Sequence, residues 1–138
     1  MNSYRLADIH PGLTHVFEVT IHDEMLERFR MVSGDTNPLH TDRGYAQSRG
    51  FADRVVYGML TASFYSTLIG VYLPGQNALL QSVDTSFSAP VYSGDTLTVF
   101  GEVTSVHEVL RQIEVKAHIT NQHGKKVSRA TIRTGIHE

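Results

Sequence analysis

The sequence predicts an α+β fold in which one antiparallel sheet wraps around a long central helix. Three observations point there. Residues 57–72 (YGMLTASFYSTLIGVY) are apolar nearly all round at helical length, which marks a helix that must be buried. From Ala78 onward the chain becomes strand after strand, with side chains alternating between apolar and polar. A single strand and one amphipathic helix come before the buried helix, so the topology has one helical layer to cover one sheet face.

The elements follow in order. Residues 1–12 end in His10-Pro11-Gly12, a turn signal, and read as an irregular lead-in. Thr14 to Ile21 sets Val16, Val19 and Ile21 among polar residues and reads as a first strand. Asp23 and Glu24 form an acidic first turn for a helix carrying Met25, Leu26, Phe29 and Val32 at helical spacing, stopped by Gly34. A short helix is expected over Asp42–Ser48, with Asp42 as N-cap and Gly50 as stop. In the central helix, Tyr57–Tyr72, Gly58, Ala62, Ser66 and Gly70 recur every four residues and form a face for close approach. Met59, Leu60, Phe64, Leu68 and Ile69 fill the space around it, and Pro74-Gly75 ends it.

The strands are expected over Ala78–Phe87, Thr96–Val106, Arg111–Asn121 and Lys125–Ile136. Leu97, Val99, Gly101 and Val103 share one face, as do Ile113, Val115, Ala117 and Ile119. Asn121-Gln122-His123-Gly124 reads as a hairpin turn between the last two strands. No repeat or linker interrupts the pattern, so residues 1–138 form a single domain.

Bulk properties narrow the function. With 41% hydrophobic and 19% charged residues the chain reads as an ordinary globular protein, and a net charge of −2 gives no basic footprint for nucleic acid. Cysteine is absent, which excludes disulfides, thiolate metal sites and a cysteine nucleophile. The first residues lack the apolar core of a signal peptide, and the stretch from Tyr57 to Leu73 is too short and too rich in Ser, Thr and Gly for a membrane span. The expected location is the cytoplasm.

Chemistry concentrates in Asp35-Thr36-Asn37-Pro38-Leu39-His40-Thr41-Asp42. Proline fixes its own φ and biases the residue before it away from the helical region, so these polar groups are expected on a stiff, non-helical loop. Asp35 and His40 pair an acid with a base five positions apart, types suited to activating one water. The same residues also suit an ordinary turn, and Asn37 before Pro38 is a common turn residue. Asp42 fits a helix N-cap better than a ligand. Asp35, His40 and Asp42 do not make a complete metal-ligand set, so no metal is expected.

Several segments together carry a resemblance. They are Gly34 through Asp42, Tyr45-Ala46, Phe51, Val55-Val56, Gly58-Met59-Leu60-Thr61-Ala62-Ser63, Ala89-Pro90-Val91 and Ser93-Gly94-Asp95-Thr96-Leu97. Over roughly residues 14–136 the chain resembles the MaoC-like dehydratases, the (R)-specific enoyl-CoA hydratases of the hot-dog fold. The resemblance implies a single hot-dog domain and a hydro-lyase needing no cofactor. It would add water to a trans-2-enoyl thioester, giving an (R)-3-hydroxyacyl thioester, or run the reverse dehydration. Asp35 and His40 would hold the water, with their division into acid and base left open.

The backbone N–H of Gly58, at the start of the central helix, would bind the thioester oxyanion, a role that the positive end of a helix also favours. Asn37 would fix the loop or the water, and Ser63 would orient His40 or the thioester. The implied partners are an acyl thioester on coenzyme A or acyl carrier protein and a second copy of the chain. The homodimer would pair sheets edge to edge, with the substrate tunnel at the subunit interface. A hot-dog thioesterase and a non-catalytic acyl-binding module are the alternatives. One departure stands out: many relatives have histidine directly before Gly-Met-Leu, and here it is Tyr57. A phenol titrates near pH 10 and so does not serve as a neutral-pH base, and the shape of the pocket mouth and the substrate preference are left open at this position.

Overall fold

The computed structural model describes residues Met1–Glu138. Strand β1 (Thr14–Thr20) is followed by helices α1 (Asp23–Ser33), α2 (Pro38–Thr41), α3 (Arg43–Ser48) and α4 (Gly58–Thr67). A π-helical turn, Leu68–Tyr72, extends α4, and then come β2 (Ala78–Phe87), β3 (Thr96–His107), β4 (Gln112–Thr120) and β5 (Lys126–Ile136). The five strands form one sheet in the order β1-β3-β4-β5-β2, with every neighbouring pair antiparallel. This is the expected α+β architecture. The first strand after the central helix lies at one edge of the sheet, beside the last strand of the chain.

Alternation decides which face is covered. Leu97, Val99 and Val103 of β3 and Ile113, Val115, Ala117 and Ile119 of β4 are buried under α4. Thr98, Phe100 and Glu102 stand on the other face, beside Lys116 and His118. α4 crosses the covered face from one edge towards the other. Near its start, Gly58 borders the Phe87 ring of β2. In its middle, the Tyr65 hydroxyl donates to Ser128 Oγ of β5 at 2.9 Å. At the far end the Tyr72 ring stacks on His15 and Phe17 of β1, with centroids 4.3 and 4.9 Å away. Burial raises the Tyr65 hydroxyl above the ordinary phenol value, which keeps it a neutral donor.

The π-helical extension of α4 packs tightly on the sheet at Gly101. A Cβ on this residue would lie 2.6 Å from Leu68 Cδ2 and 3.2 Å from Val115 Cγ1. Leu68 and Val115 are themselves fully buried and have nowhere to retreat.

Local chemistry explains the helix ends. α1 starts with Asp23 and Glu24 against the positive end of the helix and stops at Gly34, whose φ of 72° is left-handed. Asp42 caps α3 by accepting from the Tyr45 N–H at 2.9 Å, as its position suggested. No helix is long and apolar enough to cross a membrane.

The structure differs from expectation in four places. The loop is not free of helix: Pro38–Thr41 makes one helical turn, because proline is accommodated in the first turn and Asn37 caps it. Val32 and Met59 are exposed rather than packed in the core. On the small-residue face, Ala62 is buried, Gly58 and Gly70 are half-buried and Ser66 is exposed. The lead-in is docked: Ser3 bridges Gly75, and the Asn2 N–H reaches Val71 O at 2.8 Å.

Gly101→Ala should lower stability by about 1–3 kcal/mol through overpacking. Denaturant midpoints of the variant and wild type check this, and equal midpoints would contradict the close contact.

Candidate active site

The loop after α1 is built from side chains that accept nearby backbone N–H groups. The Asp35 N–H donates to Ser33 Oγ at 3.2 Å, and the Asn37 N–H donates to Asp35 Oδ1 at 3.0 Å. The Leu39 N–H then donates to Asn37 Oδ1 at 3.0 Å. Short polar side chains can replace backbone acceptors in this way, which makes the turn rigid without a sheet or helix around it. Asn37 is thus a cap, and one oxygen of Asp35 is already engaged.

His40 sits in the turn of α2 and is held from two sides. Its Nδ1 lies 2.6 Å from the Val55 carbonyl oxygen, and its ring stacks on Tyr57 at 4.1 Å with 30° between planes. A carbonyl can only accept, so Nδ1 carries the proton of the neutral ring and Nε2 keeps its lone pair. The Val55 N–H returns a bond to Leu39 O at 3.0 Å. Next to it, Arg54 reaches Asp23 at 3.1 Å and Glu27 at 3.5 Å, clipping this segment to α1. Arg43 and Asp53 add a two-point ion pair, with oxygens at 3.0 and 2.9 Å, which holds the Asp53 carboxyl below its ordinary value.

A cavity of about 360 Å³ opens beside His40. Gly58, Thr61, Phe51, Val55, Phe87 and Val91 line it, and most of its wall is apolar. Gly58 is the first residue of α4, and no group of the chain accepts from its N–H. A Cβ there would touch the Phe87 ring at 3.4 Å, so glycine keeps the backbone open to the cavity. A larger hollow of about 570 Å³ lies on the uncovered sheet face, among Asp84, Glu102, Lys116, His118, Lys126 and Arg129. It shares no residue with the His40 cavity and is a mixed-charge surface.

The structure brings His40 and Gly58 to one cavity. Asp35 is exposed, does not line that cavity and makes no hydrogen bond to His40. It joins the site through Tyr57, whose hydroxyl donates to the Asp35 carbonyl oxygen at 2.7 Å. Ser63 is not brought in: it is exposed, and its hydroxyl donates to Leu60 O of its own helix at 2.6 Å. Asp35, His40 and Asp42 do not converge as a metal-ligating cluster.

Tyr57 is the residue whose role sequence reasoning left open. It is only 2% exposed, packed on Phe29 and His40, and stands behind the imidazole rather than at the cavity mouth. The available signal was an aromatic residue directly before Gly58, where the chain enters a buried helix.

A family model described as the MaoC like domain matches residues 8–125. The chain belongs to the MaoC-like domain family. It is 38% identical over 99 residues to an (R)-specific enoyl-CoA hydratase of Rhodospirillum rubrum, covering 72% of this chain and 69% of that protein. To an (R)-specific enoyl-CoA hydratase of Aeromonas caviae it is 41% identical over 80 residues, covering 58% of this chain and 60% of that protein. The solved R-hydratase PhaJ1 of Pseudomonas aeruginosa superposes with a TM-score of 0.91 at 30% identity, covering 97% of this chain and 86% of that one. These neighbours carry the hot-dog fold, and the present fold is the same.

The Val55 bond makes a spectroscopic expectation. In its neutral form, His40 should show one tautomer with the proton on Nδ1. Nitrogen chemical shifts of labelled imidazole check this, and a proton on Nε2 would contradict the geometry.

Proposed function

We propose that the protein is a hydro-lyase acting on a trans-2-enoyl thioester, giving an (R)-3-hydroxyacyl thioester, and catalysing the reverse dehydration. The observation that supports this most directly is the meeting of a free imidazole nitrogen and an unpaired helix-start N–H on one small apolar cavity. Hydration joins the water oxygen to C3 and a proton to C2, so no electrons leave the substrate and no redox partner is needed. As the C3–O bond forms, negative charge moves to the thioester oxygen. Gly58 N–H would stabilise that charge, aided by the positive end of α4 and the low polarity of the cavity.

His40 Nε2 would exchange a proton with the water, because Nδ1 is committed to Val55. Asp35, through the oxygen not bonded to Asn37, would help hold that water, and the pair would pass the proton taken from it on to C2, so that one water is added in all. Asn37 would hold the turn. The related hydratases favour this reading over a thioesterase or a binding module. The acyl chain would be carried on coenzyme A or acyl carrier protein, and the cytoplasm is the location included in the proposal.

A second copy of the chain would complete the assembly. Edge strand β2 exposes Leu79, Leu80, Val83 and Phe87, and proteins usually cover such edges. Phe87 also lines the cavity, so a partner docked there would stand beside the site.

Crotonyl-CoA should lose its enoyl absorbance without release of free thiol. Thiol release without hydration would overturn the reading in favour of a thioesterase, and binding with neither would favour a module. His40→Ala and Asp35→Asn should each lower turnover roughly 10²–10⁴-fold with folding retained. Near-normal turnover in a folded variant would remove that residue from the mechanism. Val83→Lys should shift the protein from dimer to monomer in sedimentation, and an unchanged dimer would place the interface elsewhere.

A further inference from the structure

We infer that Tyr57 is a positioning residue that sets His40 and the Asp35 loop in register with the Gly58 N–H. The role rests on the hydro-lyase reading for what the site does, and on the following geometry for how it is held.

Three parts of the site meet on this one side chain. Its ring is the surface on which the His40 imidazole lies, with centroids 4.1 Å apart. Its hydroxyl donates 2.7 Å to the Asp35 carbonyl oxygen, and its backbone is covalently joined to Gly58. Its own carbonyl accepts the Leu60 and Thr61 N–H groups, both at 3.1 Å, and so starts α4. The bond from Nδ1 to Val55 fixes one in-plane direction of the imidazole. The stack fixes the plane, and together they leave Nε2 one orientation.

Tyr57 is itself immobilised. It is buried, and Phe29 of α1 packs against it with ring centroids 4.9 Å apart. A phenol suits this place because its hydroxyl extends beyond the ring that carries the stack. Burial and the nearby Asp35 charge push that hydroxyl above the ordinary phenol value, so it remains a neutral donor throughout the working range. The aromatic face and the polar tip then do separate tasks: the face orients the imidazole, and the tip ties down the carboxylate-bearing turn.

The two tasks separate by mutation in the full chain. Tyr57→Phe keeps the stack and removes the donor. It should lower kcat by about tenfold, the value of one hydrogen bond, with KM within about threefold. Tyr57→Leu removes the stack as well. It should lower kcat by about 10²-fold, the scale expected when a reacting group is misplaced by an ångström. The motion of the imidazole ring gives a readout that overall stability does not move. His40 should keep its Nδ1–H tautomer in all three proteins, because Val55 sets it, while the order parameters of its ring C–H bonds should fall in Tyr57→Leu alone.

A kcat for Tyr57→Phe within twofold of wild type would overturn the role of the hydroxyl. Unchanged ring order parameters in folded Tyr57→Leu would overturn the role of the ring. If wild type does not hydrate crotonyl-CoA, the activity reading falls by itself. The ring-order comparison would still decide whether Tyr57 holds His40.

Discussion

The burial of one apolar helix against one sheet face governs the rest of this structure. α4 and its π-helical extension have few charged or strongly polar groups to offer water, so the helix is stable only when covered. The sheet covers it by placing β2, the next element in sequence, at the edge beside β5. The gap at Gly101 lets Leu68 lie against the strand backbone and sets the depth of the helix. Depth and direction together deliver the first turn of α4 to the β2 edge, beside Phe87. The free N–H of Gly58 therefore faces an apolar cavity because of how the core packs.

The loop is joined to this frame by a few directional bonds. Val55 exchanges bonds with Leu39 and His40, while the Val56 N–H donates to Val91 O at 2.8 Å. The segment thus links the imidazole to the strand-entry region without any long side chain between them. Arg54 adds an ion-pair clip to α1, and its guanidinium is largely covered where its partners Asp23 and Glu27 are exposed. Such a pair contributes modestly to stability. Its geometric effect is larger, since the clipped segment carries the carbonyl that fixes the tautomer of His40.

Much of this was legible in the sequence, and the physical reason is periodicity. Period-two alternation marked β3, β4 and β5, and uniform apolarity marked the central helix, because both patterns come from burial. The caps at Gly34 and Asp42 were legible for local steric and hydrogen-bonding reasons. Strand order was not legible, because alternation says which face is buried and nothing about which strand is the neighbour. The helical turn at Pro38 was missed because proline was taken as a breaker, although it is well suited to the first turn of a helix. The contacts of Ser63 and Tyr57 were not legible for a related reason: a residue's position along the chain does not say what its side chain meets across space. Ser63 turns back to Leu60, while Tyr57 reaches Asp35 across 22 positions.

His40 and Asp35 are held very differently, and the difference has mechanistic weight. The imidazole has its plane, its in-plane direction and its tautomer all defined by neighbours inside one chain. The carboxylate has one oxygen bonded to the Asn37 N–H and its backbone held at both ends, but it faces solvent. A group that must keep one lone pair aimed at a substrate gains from such restraint, since preorganisation removes reorientation from the barrier. An exposed carboxylate gains instead from whatever later excludes water, because its electrostatic effect grows as the surroundings become less polar. The cavity is already apolar on the side of Gly58 and Phe87, and in the proposed dimer a partner at the β2 edge would extend that apolar wall. The proposed site is therefore preorganised at the imidazole and left to be desolvated at the carboxylate.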